Sequence, residues 1–132
     1  MLYLLPLFAA IAPFIIWPIE RLFPYPFFVE ELVKAFLVLP LTDLDNFRNK
    51  IEFGIVIGLL FTLSESVLYI FNIQEVGNLG IFLIRILLTF PLHTLTILIM
   101  IAFSLKKKLL IIPGLVCAIV IHILFNYFIS FI

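Results

Sequence analysis

The sequence predicts an all-α membrane protein, a single transmembrane domain over residues 1–132 built as a bundle of about five helices. Apolar residues make up 65% of the chain and charged residues only 12%, whereas soluble domains are about 45–50% apolar. The mean hydropathy of +1.34 supports the same class. The formal net charge is zero, which argues against a nucleic-acid partner. Membrane lipids are therefore the expected surroundings.

Five apolar stretches are candidates for crossing a bilayer, which takes about 20 residues. The first, residues 2–19, is predicted to be a retained span, because it lacks the basic start and the small-residue cleavage site of a signal peptide. The second, residues 23–41, is predicted to be short or re-entrant because it is also charged. The other three cover residues 53–71, 79–104 and 109–132, and the connections lie at 42–50, at 72–78 and at Lys106–Lys108.

Basic residues predict the orientation. If all five segments cross, the N-terminus and the connections at 42–52 and 105–108 share one side of the membrane. That side carries Arg48, Lys50 and three lysines, and the other side carries only Arg21. The positive-inside rule then places the N-terminus in the cytoplasm and the C-terminus outside.

Four of the five stretches carry polar groups that hydrocarbon disfavours. A charged side chain at the bilayer centre costs about 2.5–3.5 kcal/mol on insertion scales, so these groups are expected to face one another. At about 1.5 Å per residue, most of them lie roughly 9–15 Å from the outer side. The sequence therefore predicts one polar layer in the outer half of the membrane. Its members are Glu30, Glu31, Lys34, Glu65, Arg85, His93, His122 and Asn126.

Taken singly, these groups also have structural explanations. Glu30 and Lys34 are one helical turn apart, which is the spacing of an ion pair on a half-buried helix. Arg85 lies near the outer interface, where a long side chain can extend to water. Ser64 and Ser66 are expected to bond back to carbonyls of their own helix rather than act as nucleophiles.

In chain order the groups form four motifs. They are Glu30-Glu31-Leu-Val-Lys34, Phe61-x-x-x-Glu65, the Arg85 and His93 pair, and His122-x-x-x-Asn126. This succession resembles the PrsW family of intramembrane proteases, which is similar to the CAAX prenyl proteases and bacteriocin-processing membrane proteins. The resemblance implies a catalytic core within residues 23–132. It also implies an endopeptidase that cleaves a membrane-anchored protein or peptide in or near the membrane.

The resemblance implies a role for each polar residue in hydrolysis by a glutamate-activated water. Glu30 is expected to be the base that activates the water, Glu65 to bind the same water, and His93 to orient it or donate a proton. His122 and Asn126 are expected to supply oxyanion donors. Glu31 is expected to orient its neighbours together with Lys34, and Arg85 is expected to have a supporting role. An apolar bundle disfavours an ionised carboxylate, which makes a glutamate a better proton acceptor near neutral pH. No cofactor is expected in this mechanism.

Three other functions use the same residues. A zinc-dependent intramembrane metalloprotease would bind its ion through Glu65, His93 and His122, a donor set that leaves a fourth position open, although the chain has no HExxH motif. A non-enzymatic scaffold or membrane-chaperone subunit would use the polar groups to hold helices together. A small proton-coupled carrier would use them as a proton relay.

Overall fold

The computed structural model describes residues 2–71 and 79–130, and helix is the only regular secondary structure in these ranges. Within these ranges five α-helices follow one another: α1 Leu5–Glu20, α2 Pro26–Val38, α3 Phe47–Phe71, α4 Leu79–Ser104 and α5 Ile111–Ile129. Short 3-10 segments precede α1 (Leu2–Leu4), extend α2 (Leu39–Asp43) and precede α5 (Lys108–Leu110). The predicted all-α membrane fold is confirmed. The turn predicted at 72–78 lies outside the described residues.

Four stretches in the described part of the chain are long and apolar enough to cross a membrane: Leu2–Glu20, Phe47–Phe71, Phe82–Ser104 and Lys108–Ile129. The α2 helix has only 13 residues, which extend about 20 Å. Its five-residue 3-10 continuation adds about 10 Å. Together the two parts have about the length of a hydrocarbon core, roughly 30 Å. The second segment is short as an α-helix, and it is not one of the four candidate spans.

Several helix boundaries differ from the predicted ones, and the starts of α2 and α3 have a local explanation. The α2 helix begins at Pro26 rather than at residue 23, because a proline is favoured in the first helical turn, where its missing N–H is not needed. The α3 helix begins at Phe47 rather than at residue 53, so part of the predicted polar loop is helical. Asn46 explains this difference: its side-chain oxygen accepts a hydrogen bond from the backbone N–H of Arg48 over 2.9 Å, as a helix N-cap does.

The connections before α3 and before α5 meet at one end of the bundle. Lys108 forms an ion pair with Asp43 over 2.9 Å, and this hydrogen bond holds the pKa of Asp43 below its usual range. Lys50 donates to the backbone carbonyl of Thr42 over 3.0 Å. These contacts fix the short loop between α2 and α3, so that the N-terminal end of α2 lies at the opposite end of the bundle.

Apolar packing fills the half of the bundle on the loop side. The α2 helix packs against α1, α4 and α5, and α3 packs between α1 and α4. Many of the large apolar side chains on the outer faces are exposed, as lipid-facing side chains are. The buried apolar cluster consists of Leu5, Ala9, Ala35, Leu37, Val38, Leu41, Ile57, Ile97, Met100, Ile101, Ile111 and Ala118.

Two glycines let α3 and α4 approach closely. A Cβ atom on Gly58 would lie 2.6 Å from Oγ1 and 2.9 Å from Cα of Thr94. On Gly54 it would lie 2.8 Å from Cδ1 of Ile101, the flexible end of a side chain. Small residues four positions apart permit close packing of membrane helices, where van der Waals contact drives association.

Gly58→Ala is therefore expected to destabilise the bundle by about 1–3 kcal/mol, the usual cost of overpacking, because the backbone of Thr94 cannot move without separating α3 from α4. Gly54→Ala is the matched control and is expected to cost less, since Ile101 can change rotamer. Thermal unfolding in detergent compares the two variants. Equal melting temperatures for Gly58→Ala and the unmodified protein would contradict this account of the helix contact.

Candidate active site

The middle of α2 places two acids and a lysine inside the bundle. Glu31 and Lys34 are fully buried, with 0% exposure. The Lys34 ammonium donates to Oε1 of Glu31 over 2.6 Å and lies 3.9 Å from Oε2 of Glu30. It also lies 4.8 Å from the ring centroid of Phe61 on α3, a cation–π geometry. Two carboxylates and an aromatic face therefore stabilise the ammonium in apolar surroundings.

Lys34 also reaches α4, where it contacts His93. Its Nζ lies 2.7 Å from Nδ1 of this histidine, whose side chain is 1% exposed. A lysine ammonium has only donors, so Nδ1 must accept and the proton of the neutral ring must sit on Nε2. That nitrogen lies 2.5 Å from Oε2 of Glu65 and donates to it. Lys34 and Glu65 thus hold His93 from opposite sides.

Glu65 has a second polar neighbour on its own helix. The Tyr69 hydroxyl, one turn after Glu65 on α3, lies near its carboxylate. Arg85 of α4 donates through Nη2 to the Tyr69 hydroxyl, and its guanidinium carbon lies 3.8 Å from the ring centroid. Glu65 therefore lies between His93 of α4 and a Tyr69–Arg85 pair that links α3 to α4.

His122 on α5 is held in the opposite tautomer. Its Nδ1 lies 2.8 Å from Oε1 of Glu31, and because the carboxylate accepts, this nitrogen donates. In the neutral ring Nε2 then carries a lone pair, and it lies 3.8 Å from Oε2 of Glu30. A water molecule can bridge such a separation. One oxygen of Glu31 therefore receives hydrogen bonds from both Lys34 and His122.

Glu30 differs from the other two acids of the site. Its buried Oε2 has no partner within residues 2–71 and 79–130. Its neighbours Lys34 and His122 lie at 3.9 and 3.8 Å, outside hydrogen-bond distance. Glu30 is 9% exposed and lines a cavity.

This cavity has a volume of about 550 Å³ and lies at the end of the bundle away from the connections before α3 and α5. All five helices contribute to its wall, including α1, which the sequence argument left out of the catalytic core. Six of the predicted site residues line it, whereas Glu31 and Lys34 lie behind the wall. The polar and aromatic lining residues are Trp17, Glu20, Arg21, Phe27, Glu30, Phe61, Glu65, Tyr69, Arg85, Thr89, His93, His122, Phe125, Asn126 and Ser130.

The structure brings the predicted residues to one place, and their catalytic roles remain predictions. Asn126 is an exposed side chain on the cavity wall. Ser66 donates to the carbonyl of Thr62 over 2.6 Å, which is the bond to its own helix that was expected.

Sequence reasoning missed two residues of the cavity wall, Tyr69 and Glu20. The i,i+4 spacing of Glu65 and Tyr69 was a signal for the first, whereas Glu20 ends α1 without any motif.

A metal would need donors with free lone pairs. Glu30, Glu65 and His93 each bring one ligand atom within 4.8 Å of the others, and zinc accepts carboxylate and imidazole donors. A ligating imidazole offers one nitrogen to the metal and donates from the other. His93 has the reverse arrangement, because Nδ1 accepts from Lys34 and Nε2 donates to Glu65. As arranged, this set does not fit a resident zinc ion. His122, a member of the predicted alternative set, has a suitable tautomer but is not part of this group.

Comparison with known families identifies the chain. The sequence model described as PrsW family intramembrane metalloprotease matches residues 24–132, which include α2 to α5 and all four motifs. No curated protein and no solved structure matches. The predicted resemblance to PrsW is confirmed, whereas the further likeness to CAAX prenyl proteases stays a prediction. The chain belongs to the PrsW family and is an intramembrane protease.

Proposed function

We propose that this protease hydrolyses a peptide bond of a membrane-anchored protein or peptide with a water molecule activated by Glu30. One observation carries the proposal. Glu31 and Glu65 each accept hydrogen bonds from protein donors through one oxygen, whereas Glu30 lines the cavity with a buried Oε2 that has no partner among the described residues. Glu30 is therefore the acid of the three that is free to take a proton from water.

In the proposed reaction, Glu30 accepts a proton from the water while the water oxygen bonds to the carbonyl carbon of the substrate. The electron pair of the carbonyl π bond moves to its oxygen. When the tetrahedral intermediate collapses, the carbon–nitrogen bond breaks and the proton passes to the leaving nitrogen. Glu65 can orient the same water, since the hydrogen bond with His93 fixes its carboxylate.

His122 and Asn126 are proposed to stabilise the oxyanion. The Asn126 side chain has amide hydrogens to donate, and it lies on the cavity wall. Neutral His122 presents a lone pair at Nε2, because its proton is on Nδ1. Its donor role therefore requires a second proton. The proton that Glu30 takes from the attacking water can reach Nε2 across the 3.8 Å separation through water, and His122 then passes it to the leaving nitrogen when the intermediate collapses. Preorganised donors of this kind contribute about 10²–10³ in rate.

A metal-dependent hydrolase is the second candidate. It is favoured by the grouping of Glu30, Glu65 and His93 within 4.8 Å and by the description of the matching family. When bound, a zinc ion would polarise the substrate carbonyl and acidify water. The protonation of His93 imposed by Lys34 disfavours this candidate. The match to a protease family leaves the scaffold and carrier hypotheses without support.

The proposed orientation has the N-terminus in the cytoplasm and the cavity towards the outside. The contact of Asp43 with Lys108 brings the two basic connections to one end of the bundle, as the positive-inside argument requires. The length of α2 with its 3-10 continuation supports a fifth crossing. The substrate peptide would then be cut in the outer half of the membrane.

Glu30→Gln is expected to abolish cleavage of a membrane-peptide library by the purified protein, with a loss of at least about 10²–10⁴, the usual contribution of a general base. The amide conserves shape, so melting temperature should change little. Glu52→Gln is the matched control, because Glu52 pairs only with Arg48 on the exposed surface, and it should keep full activity. Cleavage by Glu30→Gln at the rate of the control would contradict the assignment of the base.

Reporter fusions at Lys107 and at Ser130 are expected to show opposite sides of the membrane. A fluorescent protein should be active at Lys107, in the cytoplasm, and alkaline phosphatase should be active at Ser130, outside. Reports from the same side at both positions would overturn the outward placement of the cavity.

A further inference from the structure

Lys34 has no part in the proton transfers proposed above, yet it is the most enclosed cation of the site. Its side chain is 0% exposed and extends from α2 towards α4. Burying a charge is costly unless it is paired and hydrogen bonded. Three of its contacts meet that need: the carboxylate of Glu31 at 2.6 Å, that of Glu30 at 3.9 Å and the ring of Phe61. The fourth contact, with a histidine nitrogen, does not stabilise charge by ion pairing and calls for a separate explanation.

The contact with His93 determines which of its ring nitrogens carries a proton. An ammonium 2.7 Å from Nδ1 leaves no room for a hydrogen on that atom, because two donors would face each other. The ring is therefore protonated at Nε2 and directs that N–H at Glu65. Coordination of a metal through Nε2 would require the proton to move to Nδ1, which Lys34 prevents.

We propose that Lys34 is a positioning residue that keeps Nδ1 of His93 unprotonated, so that His93 orients Glu65 and cannot serve as a metal ligand. The effect of Lys34 on the rate of cleavage rests on the proposed function. The protonation state of the His93 ring and its inability to bind metal do not rest on it. The ligand in question is a divalent cation such as zinc, and the site as arranged disfavours its binding.

The proton positions on the two histidines depend on the same acid. The carboxylate of Glu31 accepts a hydrogen bond from Nδ1 of His122 and so fixes the opposite tautomer in that ring. The same carboxylate pairs with Lys34. A single acid on α2 thus fixes one histidine directly and the other through the lysine. Because both rings are buried, neither can exchange its partner for water at little cost.

The first test reads the ring nitrogens without any turnover. The chain has two histidines, so ¹⁵N-histidine NMR of the protein in detergent at one slightly alkaline pH gives two rings, which His93→Ala assigns. The expected spectrum shows His93 protonated at Nε2 only and His122 at Nδ1. A His93 ring protonated at Nδ1 in the unmodified protein would overturn the proposal.

The second test measures zinc binding by calorimetry. Lys34→Met keeps the length of the side chain and removes its donors, and it is expected to bind zinc about 10–100-fold more tightly than the unmodified protein, the range over which groups around a ligand alter metal affinity. Lys34→Arg keeps donors and should remain close to the unmodified protein. The gain in Lys34→Met should disappear when His93→Ala is added.

Lys50→Met is the matched control, because Lys50 is also a buried lysine of this bundle but donates only to the carbonyl of Thr42. It is expected to leave zinc affinity and the NMR spectrum unchanged. Equal zinc affinity of Lys34→Met and Lys50→Met would overturn the proposal. So would tight zinc binding by the unmodified protein that His93→Ala abolishes.

Lys34→Met leaves Glu31 without its cation, and a buried charge without its partner is strongly destabilising. If this variant does not fold, Lys34→Met combined with Glu31→Gln removes both charges and is expected to show the same gain in zinc affinity. Kinetics give a further readout: Lys34→Met should lower kcat with little change in KM, and Lys34→Arg should restore part of it.

The failure of this inference and the failure of the proposed function give different results. If Glu30→Gln retains activity while the zinc and NMR results are as expected, the proposed base is wrong and the role of Lys34 stands. If the unmodified protein binds zinc through His93 while Glu30→Gln is inactive, the role of Lys34 is wrong and Glu30 remains essential.

Discussion

The buried contact between Lys34 and Glu31 is the interaction on which the polar half of this bundle depends. A lysine and a carboxylate without water lose far more solvation than one contact returns, so they persist only with further partners. The partners are His93 on α4, His122 on α5 and the Phe61 ring on α3. The need to satisfy one ion pair therefore fixes α3, α4 and α5 around α2, and it determines the proton positions on both histidines.

The two ends of the bundle serve different purposes. Near the connections, apolar packing and the small residues Gly54 and Gly58 bring the helices close together. At the other end, a cavity of about 550 Å³ separates the helices. The α2 helix joins the two regions because its last turns lie in the apolar cluster and its first turns carry the acids. A rigid apolar end of this kind can support polar groups that would otherwise separate in lipid.

The sequence predicted the helices and the polar layer because hydropathy and helical depth are local properties. It paired Lys34 with Glu30 from their i,i+4 spacing, whereas the lysine is closer to Glu31 at i,i+3 and bonds to His93, 59 residues away. Those choices depend on how each helix is rotated about its axis, which spacing alone does not determine. The part that α1 plays in the cavity wall was missed for the same reason, since it follows from packing between helices. Tyr69 is different, because its i,i+4 spacing from Glu65 was a local signal within α3.

Metal dependence of cleavage tests the central claim most directly. That claim is that Glu30 activates water in a site where His93 cannot bind a metal ion. The measurement is the rate of cleavage of a membrane-peptide library by the purified protein before and after phenanthroline, and again after addition of zinc. The account predicts an unchanged rate with the chelator and no increase with zinc. Activity that disappears with the chelator and returns with one equivalent of zinc would contradict it and establish the metal-dependent mechanism.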